Sequence, residues 1–271
     1  MSISPLVSVV MPVFNSEKYV RLAIESILNQ TFSDFEFIIV DDCSTDASVD
    51  IIKEFSDSRI KLIQNPTNLK TTATLNKGLQ QSTGKYILRM DSDDWSFPDR
   101  LEKQVTFMET NNDVVECGGS IIICDKNLNQ LNVRDYPVTD SLIRSKIFYY
   151  NPFAHPATIW RKEAVIQAGC YDESIPLTQD YDLTFRVGKI GLLANLPDVI
   201  LKLRTHEKSS SQAKSRQQEL ITLQIRKRAV SKYGYTMNIM DKLYYYLQLL
   251  SMYLIPQKLK FSIFNVIRKF Y

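Results

Sequence analysis

The sequence predicts an α/β fold: a mostly parallel central sheet with flanking helices, followed by a C-terminal helical extension. Three observations lead there. Short apolar runs alternate with helical patterns from Val7 to Met90, polar residues cluster where those runs end, and the chain turns helical, basic and aromatic after Ala213.

Val7 to Val13 reads as a buried strand, and Glu17 to Gln30 then places Tyr19, Val20, Ala23, Ile24, Ile27 and Leu28 on one helical face. Phe35 to Val40 is a second apolar run ending at Asp41-Asp42, where Cys43 to Asp46 supply turn and N-cap chemistry for a helix through Phe55. Ile60 to Ile63 is a third strand, Thr72 to Gln81 a helix, Gly84 a turn and Tyr86 to Met90 a fourth strand. Pro98 suits a first helical position, Leu101, Val105 and Met108 continue a helical stripe, and Val114 to Cys124 reads as paired short strands. In an open sheet of this kind ligands bind outside the carboxyl ends of the strands. The polar residues stand there: Phe14-Asn15, Asp41-Asp42, Asn65 with Asn68, and Asp91-Ser92-Asp93-Asp94.

Composition narrows the function. With 44% hydrophobic and 11% aromatic residues the chain has ample material for a core and is not a disordered segment. Cys43, Cys117, Cys124 and Cys170 form no CxxC pair, which predicts free thiols. The N-terminus lacks a basic region and a small-residue cleavage site, so a cytosolic start is expected. Charge is unevenly divided: residues 201–271 hold 14 Lys+Arg against 3 Asp+Glu, and residues 1–200 hold 19 against 27. An acidic body is unsuited to nucleic acid, whereas the basic tail suits an anionic lipid surface.

Asp91, Asp93 and Asp94 directly follow an apolar strand, where the carboxylates repel one another unless a cation holds them. Hard oxygen ligands at this density suit Mg²⁺ or Mn²⁺ shared with substrate phosphates. The same residues can also be read as a solvated turn capping the next helix. A dehydrogenase is disfavoured, because no GxGxxG follows the first strand. A DxD phosphohydrolase lacks its usual next residue, since Asp94 and Trp95 come there. A non-enzymatic acidic-pocket or membrane adaptor module is the other alternative.

VSVVMPVFNSEKYVRLAIESILNQTFSDFEFIIVDDCSTD, followed by GKYILRMDSDDWSFPDRL, resembles the family 2 glycosyltransferases, inverting enzymes with a GT-A fold, of the bacterial surface-polysaccharide type. The likeness runs from Leu6 to about Ser210, which implies a catalytic domain over residues 1–212 and an extension over 213–271. It implies a UDP-hexose or UDP-N-acetylhexosamine donor and a lipid-linked glycan acceptor. Pro12, Phe14, Asn15 and Asn68 are then expected around the nucleotide, and Asp42 on the uracil ring. Asp93 and Asp94 are expected on the metal and Asp91 on ribose or donor sugar, with Asp93 the most direct ligand. Helix capping is the other reading of Asp41 and Asp42.

In Leu177-Thr178-Gln179-Asp180-Tyr181-Asp182-Leu183, Asp180 matches the family's general base, which must take a proton from the acceptor hydroxyl. Gln179 departs from the more usual Glu. Gln179 is expected on the acceptor side, and Asp182 is acceptor-binding or structural. His155, in Asn151-Pro152-Phe153-Ala154-His155-Pro156, resembles the segment beneath the acceptor site, or is a packed turn residue. Arg204 and His206, with Ser209 to Ser211, resemble a loop closing over the donor diphosphate.

From Leu243 onward aromatic and basic residues mix with no uncharged span long enough for a transmembrane helix. In-plane helices on a membrane are expected, and packing against the body or a second subunit is the alternative. The protein is thus expected in the cytoplasm, peripherally on the inner face of the cell membrane. All motif residues precede Asp241, so removing residues 241–271 is expected to leave transfer to a soluble acceptor intact and to weaken membrane binding.

Overall fold

The computed structural model describes residues 4–206 and 216–254. Its first half is β1 (Val7–Val13), α1 (Val20–Leu28), β2 (Phe35–Asp41), α2 (Ser48–Lys53), β3 (Ile60–Gln64), α3 (Lys70–Gln81) and β4 (Tyr86–Arg89). The four strands are parallel in the order β3-β2-β1-β4. Helices cover both faces, which is why β2 is apolar along nearly its whole length instead of alternating. On one face Val9, Met11 and Val13 pack with Ala23, Ile24 and Ile27 of α1; on the other Val10 and Ile87 meet Leu75 and Leu79 of α3.

The second half runs through β5 (Trp95–Ser96), α4 (Arg100–Thr110), β6 (Val114–Cys124), β7 (Gln130–Arg134), α5 (Asp140–Lys146), β8 (Ile159–Arg161), α6 (Lys162–Gln167), α7 (Gln179–Val187) and β9 (Leu192–Arg204). It extends the same sheet as β4-β8-β6-β9-β5, with β8 antiparallel to both β4 and β6, and β6 parallel to β9. The predicted α/β class holds, with the parallel half first and a mixed half joined to it.

One expectation is corrected. Val114 to Cys124 is a single eleven-residue strand, not a pair. Gly118-Gly119 at its middle looks like a turn but answers a packing need. A Cβ on Gly118 would stand 2.2 Å from Asn195 Oδ1, and one on Gly119 would stand 2.7 Å from Ile200 Cδ1.

The C-terminal part forms α8 (Arg216–Tyr233) and α9 (Ile239–Leu254). Ile225 and Ala229 of α8 join the core that holds Tyr181 and Phe185 of α7, so α8 packs on the body. In contrast, α9 exposes Ile239, Leu243, Leu247, Leu250 and Leu254, spaced along one helical face. No helix among the described residues is long and apolar enough to cross a membrane. Lys258, Lys260, Arg268 and Lys269, together with Ser209 to Ser211, lie outside the described residues.

Candidate active site

Strand termini bring the polar residues to one edge of the sheet. Near the end of β1, Pro12 lies in register with Val40 of β2, and Phe14, just past the strand, is half-exposed. Asn15 takes a left-handed backbone, donates its N–H to Ser44 Oγ at 2.9 Å and accepts from the N–H of Thr45 at 2.8 Å. The two loops are thereby clamped together. After β2, buried Asp42 accepts from the N–H groups of Leu69 (2.7 Å) and Lys70 (2.9 Å) and from Asn65 Nδ2 (2.9 Å). It therefore caps the start of α3, where Lys70 is left-handed (φ 71°), and a carboxylate with about four acceptor positions keeps one for another donor. Asn68 Oδ1 is buried with no hydrogen-bond partner.

The loop after β4 carries the carboxylates. Ligand oxygens of Asp91, Asp93 and Asp94 all lie within 4.8 Å of one another. Asp94 is buried and accepts from the backbone N–H of Arg204 at 2.8 Å; Asp93 Oδ2 lies 2.9 Å from His206 Nε2, and Arg204 Nε donates to the Asp93 carbonyl at 2.6 Å. Burial and the charges of Asp93 and Asp91 push Asp94 well above the ordinary carboxylate range, and burial and Asp91 raise Asp93. Such a crowd of carboxylate oxygens fits the donor set of Mg²⁺ or Mn²⁺. The last residues of β9 and the turn after it, 110 positions away in sequence, thus close on the triad.

Two residues not expected at the site from sequence belong here, Tyr19 having been placed only on a helical face. Tyr19, just before α1, stacks on His206 with ring centroids 4.9 Å apart, and the Arg204 guanidinium lies 4.6 Å from its ring centre. Arg89, the buried last residue of β4, donates to Asp91. An arginine ending an otherwise apolar strand was the available signal, because buried cations need partners.

Asp180 sits in the first turn of α7, after left-handed Thr178, and accepts from Asn151 Nδ2 at 2.7 Å. Burial raises its proton affinity, opposed by the N–H groups of Tyr181 and Asp180 and by the charge of Arg89. The same Arg89 pairs with Asp91 of the triad. His155 is a packed turn residue: its Nε2 is 2.7 Å from Tyr171 Oη, its ring packs edgewise on Trp160 and Tyr171, and burial holds it neutral. Gln179 is buried at the start of α7. Asp182 needs correction. It is fully buried, with Arg186 Nε at 2.7 Å and Tyr233 Oη at 2.9 Å donating to its two oxygens, so it joins α7 to α8 and is not placed to bind an acceptor.

Residues 8–169 match the family model described as glycosyl transferase family 2. The chain belongs to that family. An O-antigen biosynthesis glycosyltransferase, WbnJ of Escherichia coli, is 33% identical over 216 residues, covering 77% of this chain and 83% of WbnJ. The family match sets aside the phosphohydrolase and adaptor alternatives. Among solved structures, S. aureus TarS in complex with UDP-GlcNAc superposes with TM-score 0.70 at 20% identity, over 95% of this chain and 75% of that one. Mannosyltransferase PcManGT from Pyrobaculum calidifontis, in complex with GDP-Man and Mn²⁺, gives TM-score 0.66 at 14% identity, over 94% and 71%. The fold is the GT-A fold of glycosyltransferases. Asp180, Arg204 and His206 lie beyond the residues the family model matches.

Proposed function

We propose that this family 2 glycosyltransferase moves a hexose or N-acetylhexosamine from a UDP-sugar to a hydroxyl of a lipid-linked glycan, with inversion, in surface-polysaccharide assembly. The observation that carries the reading is the carboxylate triad Asp91-Asp93-Asp94 at the strand ends, on which Arg204 and His206 close. A TarS complex with UDP-GlcNAc and a mannosyltransferase complex with GDP-Man and Mn²⁺ support a nucleotide-sugar donor beside a divalent metal. WbnJ, an O-antigen biosynthesis enzyme by name, supports the polysaccharide context.

In this reading Asp93 and Asp94 hold Mn²⁺ or Mg²⁺, which when bound neutralises the diphosphate and its leaving charge. Arg204 and His206 orient the diphosphate, and Asp91, released from Arg89, meets the ribose or donor sugar. Pro12, Phe14, Asn15 and Asn68 border the nucleoside, and the remaining acceptor position of Asp42 meets the uracil N–H. Asp180 takes the proton of the acceptor hydroxyl as its oxygen bonds to the anomeric carbon and the bond to the diphosphate breaks. Gln179 and Asn151 border the acceptor, with Asn151 holding the Asp180 carboxylate in place.

The exposed face of α9, followed by a segment with four basic and no acidic residues, supports peripheral binding to the cytoplasmic face of a membrane. The test is a panel of nucleotide sugars offered with Mn²⁺ and a lipid-linked acceptor. Mass spectrometry should find one hexose or N-acetylhexosamine added from a UDP donor. Addition from none of the panel, together with no UDP binding in the presence of Mn²⁺, would overturn the reading.

A further inference from the structure

We propose that the C-terminal helix pair is a working part of the acceptor half of the site, with Arg226 as the positioning residue that couples α9 to the base helix. The proposal rests on the reading of Asp180 as the base. Arg226, on α8, is among the largest fully buried side chains in the protein. Its guanidinium stands where three segments meet. Nε donates to Tyr181 Oη at 3.1 Å, on the residue after Asp180. Nη2 donates to the carbonyl of Tyr149 at 2.8 Å, two residues before Asn151, whose amide holds Asp180. Nη1 donates to Gln248 Oε1 at 2.5 Å, on α9.

Both supports of Asp180, the helix it opens and the loop that carries Asn151, therefore end on one guanidinium, and α9 completes its hydrogen bonds. Tyr181 Oη also donates to the Ile147 carbonyl, and Tyr244 of α9 packs its ring on Tyr149 with centroids 4.9 Å apart. From the same α8, Arg228 pairs with Asp172 at 2.7 Å and Tyr233 donates to Asp182 at 2.9 Å, so the segment leading into α7 is tied down as well. A buried guanidinium left with an unpaired N–H is costly, and the surrounding groups move to satisfy it. Removing its α9 partner should thus be felt at the Tyr149 carbonyl and Tyr181, and through them at Asn151 and Asp180. The partners of Arg226 are Tyr181, Tyr149 and Gln248, far in sequence from the triad and the Asp42 loop, which should not respond. This reverses the expectation, drawn from motif positions alone, that residues 241–271 are dispensable for transfer.

The test uses the full chain with Gln248→Leu and Tyr244→Ala, which leave Arg226 in place, and Gln248→Glu, which keeps an acceptor for Nη1. Hydrogen–deuterium exchange needs no ligand. Gln248→Leu and Tyr244→Ala should raise exchange in residues 146–151 and 178–183 and leave residues 35–45 and 86–94 unchanged, while Gln248→Glu matches wild type. Affinity for UDP with Mn²⁺ should stay within about twofold of wild type, while kcat for the nucleotide sugar that wild type turns over falls about tenfold to a hundredfold, as slight misplacement of a base does. Unchanged exchange at 146–151 and 178–183, or a rise spread equally over the donor half, overturns the coupling. If wild type neither binds UDP nor turns over any nucleotide sugar, the functional reading fails instead, and the exchange result still decides whether α9 is coupled to α7.

Discussion

Asp180 and Asp93 have different neighbours, and their variants should fail in different ways. Asp180→Asn keeps the shape and the Asn151 contact but removes the basicity, so UDP with Mn²⁺ should bind as in wild type while turnover falls by about 10² to 10⁴. Asp93→Ala should lose both, because a diphosphate beside Asp91 and Asp94 without a cation is repelled. Calorimetry of UDP binding set beside initial rates separates the two, and wild-type turnover in Asp180→Asn would move the base elsewhere. Glu116, buried on β6 and accepting from Thr184 Oγ1 at 3.1 Å, is pushed by burial up to about 8 from 4.5. The folded state therefore binds a proton that the unfolded chain has released between these values, and stability falls as pH rises through that window. Glu116→Gln should flatten that slope by a few kcal/mol, so its Tm should gain on wild type between pH 5 and pH 8. Parallel melting curves for the two proteins across that range would refute it.

Among the elements, β6 shows how packing overrides local pattern. Gly118-Gly119 reads as a break, yet β6 continues because Asn195, Phe153 and Ile200 fill the space that side chains there would take. Gly118→Ala should therefore destabilise by about 1 to 3 kcal/mol through overpacking, seen as a lower Tm. A Tm at or above that of wild type would mean that Asn195 moves aside freely. The strand ends at Asp42 and Asp91 were legible in sequence, since turn residues and carboxylates end apolar runs there. That Asp42 also caps α3 was not, because its partners, Leu69 and Lys70, are placed only by the parallel pairing of β2 with β3 and the turn that follows.

At the scale of the molecule, α8 packs on the body while α9 leaves an apolar face exposed, and the sequence after α9 is basic. Removing residues 255–271 spares Gln248 and Tyr244, so transfer to a soluble acceptor should persist, while partitioning onto vesicles containing phosphatidylglycerol should drop. Equal partitioning of both forms in a sedimentation assay would remove the membrane role from this segment.

The sequence by itself determined the α/β class, the four parallel strands and their order of appearance, the carboxylate cluster after β4 and the basic character of the tail. These follow from periodicity and composition, which act over a few neighbouring residues. Tertiary structure alone decided that the closing residues Arg204 and His206 bond directly to Asp94 and Asp93, that Tyr19 lies beneath them, and that Arg89 pairs with Asp91. It likewise chose the structural over the acceptor-binding reading of Asp182, as a link to α8, and seated Arg226 among three segments. Contacts between residues tens of positions apart depend on how the mixed half of the sheet folds against the parallel half, and no local pattern encodes that docking.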